Sequence, residues 1–170
     1  MKKNYFDRTI AFAIVLFVFV AFQISSAHAL DEKAMYVKKL TSQLLEVTDF
    51  TDNTNTTGYI DFTFALPKEA IVLGWKARVT AGFTGDTTAT VMVGISGDTD
   101  KFSANTAQSV YTASTEVGSI ALAVDAATGA FASTALTPRV TVTGSSDFTL
   151  IDTAAAGKMY IDIYYIDTRE

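Results

Sequence analysis

The sequence predicts an all-β protein, an antiparallel β-sandwich of jelly-roll or Ig-like topology, preceded by an N-terminal signal-peptide helix. Three observations carry this. From Tyr59 onward, apolar and polar residues alternate with period two in short runs. Turns rich in Gly, Asp and Ser separate the runs. Threonine, whose β-branched polar side chain suits outward strand positions, occurs 24 times after Ala29.

The N-terminus has a basic stretch (Lys2, Lys3, Arg8), an apolar run from Ile10 to Phe22 and the small-x-small tripeptide Ala27-His28-Ala29. That order is the one a secretory signal peptide requires. The run has 13 residues, short of the roughly 20 that a spanning helix needs. We therefore expect residues 1–29 to be removed on export, with membrane contact only during that passage. No Cys follows the run, which excludes a lipoprotein anchor.

Residues 30–57 read as an N-terminal extension holding the first strand and a loop. Within it, Leu40, Leu44 and Val47 recur at helical spacing while Val37, Thr41 and Val47 suit an extended chain; we read 34–47 as extended. Thr51 to Gly58 is a loop by composition. Residues 58–170 form the sandwich core. In its first strand Ile60, Phe62 and Phe64 face one way and Tyr59, Asp61 and Thr63 the other, up to Pro67.

Next, Ile71, Leu73, Trp75, Ala77 and Val79 are expected inward, against Val72, Gly74, Lys76 and Arg78 outward. Ala89, Val91, Val93 and Ile95 repeat the pattern. Further strands are expected at 110–112, 118–124, 139–143 and 158–166. Pro138 stands at a strand entrance, where a missing amide donor is tolerated. No long amphipathic helix is expected.

Composition narrows function. The leader carries a net +2 (Lys2, Lys3 and Arg8 against Asp7), so the chain's −5 becomes −7 after its removal. An acidic chain with scattered Lys and Arg argues against nucleic-acid binding. Cys is absent and the only His is His28, inside the leader. The exported chain thus has no thiol nucleophile, no imidazole base and no Cys/His zinc site, and we expect it not to be an enzyme.

Two stretches, Leu66-Pro67-Lys68-Glu69-Ala70-Ile71-Val72-Leu73-Gly74 with Val79-Thr80-Ala81-Gly82-Phe83, and Val91 through Phe102 around Ser96-Gly97-Asp98-Thr99-Asp100, form a strand pair and a turn. With the ending Ala156-Gly157-Lys158 to Arg169, they resemble a family of small tailed-phage structural proteins. The likeness runs from about Leu40 to the end of the chain. It implies a virion-surface or capsid-associated β module without catalysis. The chain departs from that pattern in its export segment, since capsid parts assemble in the cytoplasm.

Candidate sites are few. Asp98 and Asp100, two apart in a Gly-containing turn, are spaced to share one Ca²⁺, though an EF-type loop would need further oxygen ligands. Calcium is the one cofactor the sequence suggests. The oxygen-rich loop from Asp49 to Asn55 reads as solvated, and Asn55-Thr56-Thr57 is a formal glycosylation sequon. Asp61, Glu69, Glu116 and Asp162 offer carboxylates, but their spacing selects no glycosidase pair, and Asp61 and Asp162 are expected outward and solvated.

Tyr59, Tyr160 and Tyr164 are candidates for one exposed face, and Tyr160 and Tyr164 flank Asp162 at i, i+2 and i+4, hence on one side of a strand. Such a stripe suits a subunit contact or a sugar platform. Trp75 is expected in the core. Val37, Leu40 and Leu44 sit in a segment able to add as a strand to a neighbour's sheet. The expected function is a secreted or cell-surface (periplasmic as a variant) structural protein that self-assembles into a homo-oligomer, filament, tube or layer. The alternatives are a phage head-decoration protein and an extracellular polysaccharide-binding module.

Overall fold

The computed structural model describes residues 37–53, 55–103, 107–119 and 132–168. The expectations for the leader, for 30–36 and for 120–124 lie outside the described residues. Among the described residues ten strands occur: β1 (Val37–Thr41), β2 (Leu45–Glu46), β3 (Thr51–Asp52), β4 (Thr57–Asp61), β5 (Ala70–Ala81), β6 (Ala89–Ile95), β7 (Gln108–Ser109), β8 (Thr115–Ser119), β9 (Pro138–Gly144) and β10 (Lys158–Asp167). A 3-10 turn covers Val47–Asp49, and one α-helix, α1, covers Phe148–Ala154.

The strands form two sheets, and every strand pairing within them is antiparallel. Sheet A runs β1-β10-β5-β8, with β2 also on β10; sheet B runs β3-β4-β9-β6-β7. With β2 and β3 set aside as short additions at the sheet margins, and the equally short β7 kept, the eight strands lettered B to I in chain order give sheets B-I-D-G and C-H-E-F. That is the order of a jelly roll, a sandwich of two Greek keys, and it decides between the two topologies the sequence left open.

The inner faces meet in one apolar cluster. Sheet A contributes Trp75, Ala77, Val79, Met159, Ile161 and Ile163; sheet B contributes Ala89, Val91, Val93, Val140 and Val142. The expected alternation holds in β6 and β9, where Thr90, Met92, Thr141 and Thr143 fall on the opposite face from these valines. Trp75 lies in the core as expected. Of the segment read as extended, 37–46 holds two strands on β10, while Val47–Asp49 turns.

Strand β5 departs from expectation. Tyr164 and Tyr165 of β10 stand opposite Gly74 and Val72, leaving Leu73 as an extra residue. This β-bulge reverses the phase of the alternation: Ala70 and Val72 are buried while Ile71 and Leu73 are only half-buried. A second extra residue, Thr80, sits between the partners of Lys158 and Met159. Phe64, expected inward, is 60% exposed, because pairing with β9 stops at Asp61 and the chain bends away.

Helix α1 was not expected from the pattern. The Asp147 side chain caps it, accepting from the Thr149 amide at 3.0 Å. It ends at Ala155, in the left-handed region at φ +51°, and its buried residues are Phe148 and Ile151. Phe148 lies directly on Gly58, where a Cβ would overlap its ring. Phe50 joins this end of the core, edge-on to Phe83 at 5.9 Å between ring centroids. Among the described residues no helix is long and apolar enough to cross a membrane.

Candidate interaction surfaces

Alternation along β10 places Tyr160, Asp162, Tyr164 and Ile166 on the outer face of sheet A. Register then decides their neighbours. On β1, Val37 stands opposite Ile166, Lys39 opposite Tyr164 and Thr41 opposite Asp162. On β5, Ile71 stands opposite Ile166, Gly74 opposite Tyr164 and Arg78 opposite Tyr160. One end of the face is therefore an apolar row, Val37–Ile166–Ile71, bordered by Tyr164 and the bulged Leu73. Val37 is 58% exposed and the others are half-buried.

The other end is charged and centred on Asp162. The expectation that Asp162 is solvated is wrong: it points outward but is 3% exposed, because side chains from two neighbouring strands close over it. Thr41 Oγ1 donates to its Oδ1 at 2.6 Å, Arg78 Nε lies 3.2 Å from Oδ2, and Lys39 Nζ lies 3.8 Å from Oδ2. The Arg78 guanidinium also covers the Tyr160 ring at 5.1 Å. Tyr160 and Tyr164 thus share a face but belong to different ends of it. Leu40 faces inward and packs on the core, and Leu44 is half-buried just before β2.

The outer face of sheet B carries a second arrangement. Arg139 grips Asp61 with both arms, Nε to Oδ1 at 2.7 Å and Nη2 to Oδ2 at 2.8 Å, and stacks 3.9 Å above the Tyr59 ring. The carboxylate raises the already high pKa of Arg139. Beside this trio lies a hollow of about 240 Å³ between Asn53 and Thr99, floored by Met92 and Thr141. Gly94 makes it possible: the Asp98–Thr99 backbone folds so closely over Gly94 that a Cβ there would overlap it.

In that turn the Asp98 carboxylate lies 3.7 Å from Lys101 Nζ. The Asp98 carbonyl accepts from Ile95 and Lys101 amides, and the Asp100 carbonyl from Ser103. Among the described residues no cluster of three or more His, Cys, Asp or Glu side chains is arranged to hold a metal ion. The remaining carboxylates singled out from the sequence also meet cations: Glu116 pairs with Lys76 across β8 and β5, and Glu69 lies 3.4 Å from Lys68.

A scan against protein-family models finds no match, and no curated protein matches the chain. Among solved structures, the cyanophage Pam1 capsid asymmetric unit is similar at 20% identity, over 68% of this chain and 85% of that one, with a TM-score of 0.33. The strand order, rather than this likeness, defines the fold.

One buried acid went unnoticed in the sequence. Asp86, in the turn before β6, accepts from Ser145 Oγ at 2.7 Å, Ser146 Oγ at 2.8 Å and the amides of Thr87 (2.6 Å) and Ser146 (2.8 Å). These bonds, led by the Ser145 hydroxyl, hold its carboxyl well below the usual range. The group ties the turn before β6 to the loop after β9. Apart from the neighbouring Thr87 amide, its partners lie 59 or 60 positions away, so no local signal could have announced the tie.

Proposed function

We propose that the chain is a non-enzymatic structural protein, exported and assembled with copies of itself through the outer face and edge strand of sheet A. The observation that carries this is the row Val37–Ile166–Ile71, which runs out to β1, the edge of its sheet among the described residues. A sheet edge is a template for a further strand, and an adjoining apolar row adds buried area to such a contact. Lysines commonly guard edges, but Lys38 and Lys39 are drawn back onto β10, towards Asp167 and Asp162.

The use of charge supports the structural half of the reading. Active sites gather perturbed acids and bases in a cleft. Here the buried Asp86 and Asp162 bind segments of the fold to one another. The segment resemblance to tailed-phage structural proteins and the jelly roll, a fold of many capsid and lectin domains, point the same way; the fold alone does not fix function.

Sedimentation velocity across a concentration series, with negative-stain microscopy, tests the assembly. The expected result is a concentration-dependent rise in mass with ordered polymers. A monomer at every concentration overturns the reading. Mass spectrometry of the extracellular fraction tests export, with Leu30 the expected first residue.

A further inference from the structure

We propose that the hollow on the outer face of sheet B binds a single neutral sugar ring. The inference rests on the lining and on one unpaired group within it. Thr141, at the centre of β9, is 6% exposed, and its Oγ1 has no hydrogen-bond partner among the described residues. Buried hydroxyls are ordinarily paired, and one left unpaired destabilises the fold. Rotation of the Thr141 side chain about χ1 would turn the buried Oγ1 towards the hollow, where a ligand hydroxyl would satisfy it.

Register explains why the hydroxyls converge. Thr57 and Thr90 both stand opposite Thr143, and Tyr59 and Met92 both stand opposite Thr141. Two adjacent rows across β4, β9 and β6 therefore present hydroxyls beside an apolar thioether and an aromatic ring. Thr57, Thr143 and Thr141 line the hollow with Met92 and Tyr59. Hydroxyls both donate and accept, as do those of a sugar, while the C–H face of a sugar ring suits the Met92 thioether, with the Tyr59 ring, stacked by Arg139, forming part of the wall.

Charge and size narrow the class. Arg139 borders the hollow, but both of its arms already hold Asp61. An anionic ligand would meet a cation that is already matched, so a neutral one is favoured. A volume of about 240 Å³ falls below the roughly 300–1,000 Å³ of drug-sized pockets, which suits one ring of a chain rather than several.

The test is methyl NMR of the purified chain titrated with glucose, galactose, mannose, N-acetylglucosamine and their short neutral oligosaccharides at millimolar concentration, with glucuronic acid as the charged comparison. The expected result is shifts confined to the Met92, Thr141, Thr57 and Thr143 methyls with at least one neutral sugar. Thr141→Val, which keeps shape and removes the hydroxyl, should weaken that binding about tenfold without lowering Tm. Thr57→Val, at a half-buried position, provides a second variant with the same expectation. The proposal is overturned by the absence of shifts with every neutral sugar, by equal affinity in both variants, or by tighter binding of glucuronic acid.

Discussion

Arg78 on β5 and Asp162 on β10 meet across the outer face of sheet A, with Nε 3.2 Å from Oδ2. Thr41 and Lys39 of β1 reach the same carboxylate from the other side, so one side chain joins three strands. Removing one partner of a buried pair costs about 3–5 kcal/mol, and exposed pairs contribute about 0–1 kcal/mol. Asp162 is buried while its cations are half in solvent. Asp162→Ala should therefore lose about 2 kcal/mol in urea unfolding. An unchanged midpoint would show the cluster to be ornamental.

Asp86 makes stability depend on acid. Its folded pKa lies below the unfolded value, so the unfolded chain binds the proton first and stability rises with pH in that window. The contribution is complete above about pH 4, the unfolded Asp value, and disappears as pH falls further towards the folded pKa. Asp86→Asn should flatten the loss of stability below pH 4, as read by thermal melts across pH. Parallel melting curves for the two proteins would count against this role.

Gly94→Ala should destabilise by about 1–3 kcal/mol, as overpacking does. The obstruction is the backbone of Asp98 and Thr99 rather than a flexible side-chain end. Hydrogen exchange should localise the change to 95–103, and a variant as stable as the parent would mean the turn can lift at no cost.

Ile166→Lys should abolish self-association while leaving circular dichroism and Tm close to the parent's. The side chain sits at the middle of the Val37–Ile166–Ile71 row but is only half-buried in the chain alone. Sedimentation velocity separates the outcomes, and polymers that persist would move the interface elsewhere.

Much of the architecture was legible in local pattern. Val91 and Val93, Val140 and Val142, and Trp75, Ala77 and Val79 face the core where alternation put them. The bulge at Leu73 was not legible, because Ile71, Leu73 and Trp75 form an unbroken alternation on paper. Only pairing with β10 reveals the extra residue. Phe64 misled for the complementary reason: its apolar character continues a pattern after the pairing has ended. Helix α1 has just two buried residues, too few to register as a period.

The surfaces were harder to foresee. Val37 and Tyr164 were both singled out, and the register of β1 on β10 brings them to one apolar end. Asp162 looked solvated because alternation reports direction, not what closes above a side chain. The hollow beside Thr141 depends on strands β4, β6 and β9, whose order no stretch of sequence states.

The place of β10 between β1 and β5 also bears on biosynthesis. Thr41 and Asp162 are separated by 121 positions, and among the described residues β1 pairs with no strand but β10. A ribosome-bound chain that has not yet released β10 holds β1 and β2 without their partner and β5 with one side unfilled. Sheet A is completed only once β10 has been made and has docked between β1 and β5, so the middle strand of the sheet is the last of its strands to arrive.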